Sequence, residues 1–404
     1  MKRYTLLIFV FFVGMVLFAQ SDELKLWTNM YNESGSAAGR LRVLQDAKAS
    51  NMAEEGEFFS WALNNLLVEY PGLRRGRASD LAAADETARL IAGVLGDAKY
   101  TAAGPNLWRT VGASSNSLVK ADALAALGKV GAADYLPHVA QLLTNLNSMP
   151  PPDRRLQIEN GRIAFGAILA LEQYKDISGY LPVFFAYNGW YDKRIRNQAL
   201  ASLNLIASDP TDPMLTVMKS AGYNAAIKYL ALRNEESSQA SAEAKSSVAV
   251  AALEEGWKAA ANDIHQQNEI ASMRKLAISM IRRYGAPDER MIYTLLGRSY
   301  DEGIDIQEKL DAIDALSALA TENAAQILAS KVEVISQKLN DSGRQGGGLT
   351  RQEEQLIRAL IPALGATKTT GNEARLTLQS IANNNQGTSA VRRLAAKALK
   401  DLGW

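Results

Sequence analysis

Hydrophobic positions recur along this chain with the period of an α-helix. The final segment, VRRLAAKALKDLG at 391–403, places Ala395, Leu399 and Leu402 at positions i, i+4 and i+7 and ends in Gly. That spacing puts the three side chains on one face of a helix. A Gly directly after the last apolar position is a helix-stop signal. The pattern predicts a helix that packs against other helices through its small Ala.

The same helix pattern recurs throughout the chain. Its Ala position is occupied in turn by Ala123, Ala164, Ala199, Ala277, Ala312, Ile357 and Ala395. Most copies are followed by a short polar turn and a second apolar-periodic stretch, such as ADYLPHVAQLLTNL after Gly131. A helix pair that repeats at the spacing of these Ala positions predicts an α-solenoid. Stacked pairs bury a continuous core, which a single pair lacks. The 78-residue interval between Ala199 and Ala277 predicts one degenerate repeat between 207 and 270.

The two clearest copies, VKADALAALGKVG and VRRLAAKALKDLG, resemble the signature helix of HEAT repeats, in particular the short variety first associated with phycobilisome lyases. The resemblance covers roughly residues 80 to 404. It implies an all-α fold, an α-solenoid in which HEAT-like helix pairs stack into a superhelix. HEAT-like arrays serve as scaffolds, adaptors and, less often, parts of enzymes, so the resemblance carries over no activity. Nothing in the residues suggests a bilin site.

We expect three parts along the chain. Residues 1–20 contain Lys2 and Arg3, then an apolar run that is short for a membrane span, with an acidic stretch beyond it. This is the layout of a secretory signal, either cleaved or kept as an uncleaved N-terminal anchor. Residues 21–112 form a helical N-terminal cap region, with Ser79 and Asp80 as a helix cap. Residues 113–404 form the repeat array, with a flexible loop at 340–348. The protein is then periplasmic or otherwise extracytoplasmic.

The composition argues against several classes of function. The chain has 44 basic and 43 acidic residues, so no global charge favours nucleic acid. The absence of Cys removes disulfides, thiol catalysis and thiolate metal sites. The two His residues lack metal-binding spacing, and no Gly-x-Ser-x-Gly motif is present. The sequence therefore predicts no enzyme, no cofactor and no metal.

An aromatic cluster, YLPVFFAYNGWY at 180–191, is the first candidate contact surface. Tyr187, Trp190 and Tyr191 could form a peptide-binding or sugar-binding patch, because Tyr and Trp supply contact area at low entropic cost. Aromatic residues at helical spacing are also common in buried cores, so packing between helices is the other interpretation.

A basic residue in the signature helix is the second candidate. It recurs as Lys120, Arg196, Arg274, Lys309 and Arg392. Stacked repeats would align these charges into a ridge for an acidic partner. The family resemblance implies another role, in which each basic side chain bonds to an acidic residue or carbonyl of a neighbouring repeat.

These observations lead to two hypotheses for function. The first is a non-enzymatic exported scaffold or adaptor that binds another protein along the concave face of the solenoid. Its partner would be a periplasmic or cell-envelope protein, with membrane contact only through an uncleaved N-terminal segment. The alternative is a small-ligand or glycan-binding module centred on residues 180–191.

Overall fold

Every regular element in the described part of the chain is a helix. A computed structural model describes residues 22–287, 289–344, 349–368, 372–384 and 388–403, and the predicted export signal at 1–20 lies outside them. These residues divide into two compact units, before and after the boundary between Ala207 and Ser208. None of their helices is long and apolar enough to cross a membrane.

The first unit contains ten α-helices in its described residues. They are α1 (Asp22–Glu33), α2 (Ala37–Ser50), α3 (Glu55–Leu73), α4 (Ala78–Asp97), α5 (Gly104–Ala113), α6 (Ser117–Lys129), α7 (Leu136–Asn147), α8 (Arg154–Tyr174), α9 (Tyr180–Tyr187) and α10 (Lys193–Ile206). Short 3-10 helices precede three of them, at Thr101–Ala103, Ala133–Tyr135 and Ile177–Gly179.

The second unit contains a further ten α-helices in its described residues. They are α11 (Thr211–Lys219), α12 (Ala225–Ser237), α13 (Ala242–Lys258), α14 (Ile264–Tyr284), α15 (Arg290–Glu302), α16 (Ile306–Leu319), α17 (Glu322–Arg344), α18 (Arg351–Ala366), α19 (Asn372–Ala382) and α20 (Ser389–Asp401).

Within each unit the helices stack in two layers. The even-numbered helices pack side by side in chain order, from α2 to α10 in the first unit and from α12 to α20 in the second. Odd-numbered helices form the other layer, where α3 contacts α1 and α5, and α15 contacts α13 and α17. This packing confirms the prediction of an all-α, solenoid-like fold. The HEAT-repeat assignment stays a prediction.

The signature pattern marks the even-numbered layer. All seven residues of its Ala position lie on even-numbered helices, and each is fully buried. Each even-numbered helix from α6 onward also begins at a side chain that accepts a hydrogen bond from a first-turn N–H. Such caps satisfy backbone donors that the helix leaves open. They are Asn116, Asp153, Asp192, Asn224, Asp263, Asp305, Thr350 and Thr388.

The degenerate repeat between 207 and 270 is carried by α12. Ala231 occupies the Ala position and is fully buried, and Lys228 occupies the basic position. Four residues after Ala231, where the pattern has an apolar residue, the chain has Glu235, which is also fully buried. This carboxylate, with Ser238 at the next apolar position and Gln239 at the Gly position, explains why the pattern fades here.

Two glycines allow α6 and α8 to pack closely. A Cβ added to Gly128 would lie 2.6 Å from the Cα of Ala170, and one added to Gly166 would lie 2.4 Å from the carbonyl oxygen of Ala121. Both distances are shorter than any real carbon contact. A side chain at either position would therefore push the two helices apart.

Two local features differ from the sequence-based expectations. Helix α17 continues to Arg344, so residues 340–344 of the expected loop are helical, and 345–348 lie outside the described residues. Helix α4 begins at Ala78, after an extended Arg77 that makes no side-chain cap. The prediction of a cap at Ser79 and Asp80 was wrong, because Asp80 lies inside the first turn and pairs with Arg77 at 3.4 Å.

Candidate functional site

A groove opens over the N-terminal halves of α6, α8 and α10 in the first unit. Its volume is about 730 Å³, within the range of roughly 300–1,000 Å³ that ligand sites occupy. One face of α8 forms its centre, and the segment that leads into α10 forms one wall. The lining residues are Leu118, Ala121, Asp122, Arg154, Gln157, Ile158, Gly161, Arg162, Phe165, Trp190, Tyr191, Asp192, Arg194 and Ile195.

The aromatic wall is made by Trp190 and Tyr191, which differ in exposure. Their ring centroids lie 4.2 Å apart, and the ring planes differ by 31°. The indole of Trp190 is half-buried and donates a hydrogen bond to the carbonyl of Leu146 at 3.2 Å. Tyr191 is 3% exposed, and burial raises the pKa of its phenol. Both residues line the groove, and the indole of Trp190 is the more exposed of the two.

Two aliphatic side chains in the groove are open to solvent. Leu118 on α6 is 36% exposed and Ile158 on α8 is 51% exposed. Phe165 lies two helical turns after Ile158 on α8 and is half-buried. The guanidinium of Arg194 lies 5.1 Å from its ring centroid. Single exposed aliphatic residues are common on proteins, but two of them beside a half-buried aromatic ring in one groove are typical of a binding surface.

The groove carries an excess of positive charge. Arg154, Arg162 and Arg194 are exposed, and no carboxylate within the described residues lies in ion-pair range of any of them. Both carboxylates of the groove already have partners. Asp122 accepts a hydrogen bond from the Nε of Arg89 at 2.7 Å, and Asp192 caps α10. Since α6, α8 and α10 all begin at the groove, the positive ends of their dipoles add to this field.

The structure places the sequence-predicted contact residues at several different locations. Trp190 and Tyr191 line the groove, whereas Tyr187 is half-buried on α9 and lies outside the lining. Of the basic positions in this unit, Lys120 is half-buried on α6 and Arg196 is exposed on α10, and neither lines the groove.

Arg274, in the second unit, is engaged inside the helical stack. It is 7% exposed, and its Nε and Nη2 donate to the two carboxylate oxygens of Glu308 at 2.6 and 3.0 Å. Its Cζ lies 4.0 Å from the centroid of the Trp257 ring. Lys309 likewise donates to the carbonyls of Tyr300 and Asp301, at 2.7 Å each. These contacts join neighbouring helices of the unit.

Several charged residues of these surfaces were not predicted from the sequence. Arg154 and Arg162 on α8 and Arg194 on α10 line one groove only because these helices stack side by side. Lys228 also extends the basic series, because it is 7% exposed and pairs with Glu255 at 2.8 Å. A search for the basic position in α12 would have found Lys228, since its helix keeps the Ala position.

Glu235 is a fully buried carboxylate of the second unit whose pKa is raised. Burial raises its pKa to about 7, with Asp209 nearby adding to the rise, while a bond from Thr211 and the charge of Lys245 oppose it. The Thr211 hydroxyl donates to Oε1 at 3.1 Å, whereas Oε2 is buried with no hydrogen-bond partner within the described residues. The ammonium of Lys245 donates hydrogen bonds to the carbonyls of Glu236 and Ser238, at 3.0 and 2.8 Å, and not to Glu235.

Comparison with known proteins adds no assignment to this geometry. No protein-family model matches the chain, and no curated protein matches it in sequence. Within the described residues, no group of three or more His, Asp or Glu side chains is arranged to hold a metal ion.

Proposed function

We propose that the protein is a non-enzymatic scaffold that binds another protein and works outside the cytoplasm. The observation that carries the proposal is the groove over α6, α8 and α10, which joins the half-buried ring of Trp190 and exposed aliphatic side chains to three arginines that form no ion pair with any described residue. A folded helical stack offers such a surface with little ordering cost on binding. Export rests on the basic and apolar residues at 1–20.

The partner in this proposal is a periplasmic or cell-envelope protein. The groove would hold one segment of it, and further contacts would extend along the concave face that the repeat pattern predicts. Interfaces of this kind depend on a few anchor residues, often Trp and Arg, with polar contacts around them. Trp190 and the three arginines have that composition.

Site-specific photo-crosslinking tests this proposal. A photoreactive amino acid replaces Ile158, which lines the groove and is 51% exposed, or Ile177, which is 46% exposed and lies outside it. We expect a discrete adduct with another protein from position 158 and none from position 177. Equal adducts from both positions, or none from position 158, would refute the proposal.

A small-ligand or glycan-binding module is the second candidate, and one observation favours it. Trp190, half-buried in a groove of about 730 Å³, has the setting of a ring that stacks on a small ligand. Native mass spectrometry of the purified chain separates the candidates. A bound small molecule that is lost in Ile158→Gln, without a protein adduct at position 158, would favour the module.

A further inference from the structure

The groove of the first unit combines an apolar wall with positive charge on two different helices. We infer that it binds a peptide segment in which two carboxylates flank one apolar side chain. The inference rests on the proposed function, since it names the kind of segment that the scaffold holds.

The apolar contact would lie at the centre of the groove. Leu118 and Ile158 are exposed there, and the indole of Trp190 lines the same space. An apolar side chain placed among them removes water from all three surfaces at once. Trp190 is already held by its bond to the Leu146 carbonyl, so its ring loses little freedom on binding.

The arginines fix where the carboxylates of the segment would lie. Arg154 and Arg162 are eight residues apart on α8, which corresponds to about 12 Å along a helix. An extended peptide advances about 3.3 Å per residue, so the same distance spans about four residues. Each guanidinium can donate two parallel hydrogen bonds to a carboxylate. The geometry therefore favours acidic residues about four positions apart, with the apolar residue between them.

Arg194 supplies the third positive charge, from α10. Its guanidinium lies 5.1 Å from the centroid of the Phe165 ring, and both residues line the groove. The charges of Asp122 and Asp192 interrupt the positive field, and the chain as a whole carries only +1. A nucleic acid, with a phosphate at every nucleotide, would meet these carboxylates. A peptide with spaced acidic residues fits this mixture of arginines and carboxylates better than a nucleic acid does.

A display selection with a random library of dodecapeptides tests the inference. Peptides are selected on the full chain, and those that also bind the Ile158→Gln variant are discarded. We expect the remaining pool to be enriched in Asp and Glu on both sides of an aliphatic or aromatic residue. No surviving peptides, or survivors without acidic enrichment, would overturn the inference.

Matched charge variants then locate the binding. The groove variant carries Arg154→Gln, Arg162→Gln and Arg194→Gln. The control replaces three exposed arginines elsewhere with the same change in net charge, Arg42→Gln, Arg75→Gln and Arg233→Gln. For a selected peptide we expect the Kd to rise about tenfold in the groove variant, because two exposed arginine–carboxylate pairs and the nearby charge of Arg194 are lost, and to change little in the control. Unchanged affinity in the groove variant would overturn the inference.

The outcomes separate this inference from the proposed function. A protein adduct at position 158 together with selected peptides that lack carboxylates would leave the scaffold standing and refute the acidic segment. If neither an adduct nor a selected peptide is obtained, both fail. A single-stranded oligonucleotide that competes with the selected peptide at equal concentration would instead assign the arginines to a polyanion.

Discussion

Glu235 should make the stability of the second unit fall as pH rises from mildly acidic to neutral. Its carboxyl is fully buried and one oxygen has no partner within the described residues, so burial disfavours its charged form. The pKa is raised from 4.5 to about 7 in the folded state. The unfolded chain therefore loses this proton at a lower pH than the folded chain does.

The magnitude follows from the two pKa values. Each unit of difference corresponds to 1.36 kcal/mol, so a shift from 4.5 to about 7 amounts to about 3 kcal/mol. Below pH 4.5 the carboxyl is protonated in both states and has no effect. Between pH 4.5 and 7 the free energy of unfolding falls, and above pH 7 it stays lower by about 3 kcal/mol.

Replacing Glu235 by Gln removes this titration and keeps an oxygen for the Thr211 hydroxyl. We expect Glu235→Gln to unfold like the wild type at pH 4.5 and to be more stable by about 3 kcal/mol at pH 8. Urea unfolding at both pH values measures the difference, with hydrogen exchange of α12 peptides to localise it. Glu236→Gln is the control, because its side chain is only half-buried.

The result that would refute this reasoning is a constant offset. If Glu235→Gln differs from the wild type by the same amount at pH 4.5 and pH 8, the pKa of the carboxyl does not differ between the folded and unfolded states. A second variant, Glu235→Leu, restores the apolar residue that the repeat pattern has at this position. It should also lose the pH dependence.

Three further substitutions test the packing. Gly166→Ala places a Cβ 2.4 Å from a carbonyl oxygen and should destabilise the first unit by about 1–3 kcal/mol in urea, whereas Gly93→Ala, with open space around it, should not. Glu308→Ala leaves a buried arginine unpaired and should lower stability by about 3–5 kcal/mol, measured against exposed Glu302→Ala. Tyr191→Phe removes a buried hydroxyl that has no hydrogen-bond partner within the described residues and should leave the Tm unchanged or higher; a clear fall would contradict this geometry.

The sequence identified the even-numbered layer because its inner helices each pack between two neighbours of the same layer. A helix packed between two neighbours must keep a small residue and apolar residues at fixed spacing, which leaves a readable period. Ala123, Ala277 and Ala312 are fully buried in consequence. The apolar-periodic stretch after each turn likewise predicted the odd-numbered helices.

The pattern failed in α12, where polar residues occupy its later positions. In α12 the N-cap and the Ala position are kept, but Glu235 and Ser238 replace the two apolar residues that follow. A charged residue at that spacing indicates an exposed face when the sequence is taken alone. Only the packing of α12 shows that the carboxyl is inside and that the repeat continues.

The sequence by itself determined the helical repeat, its period and the aromatic cluster that contains Trp190. The tertiary structure alone decided which charges accompany that ring. Arg154, Arg162 and Arg194 lie on two helices and look like any exposed arginines, because surface positions carry no packing constraint that a single sequence reveals. The groove exists only after α6, α8 and α10 stack, since stacking brings together side chains that are distant along the chain.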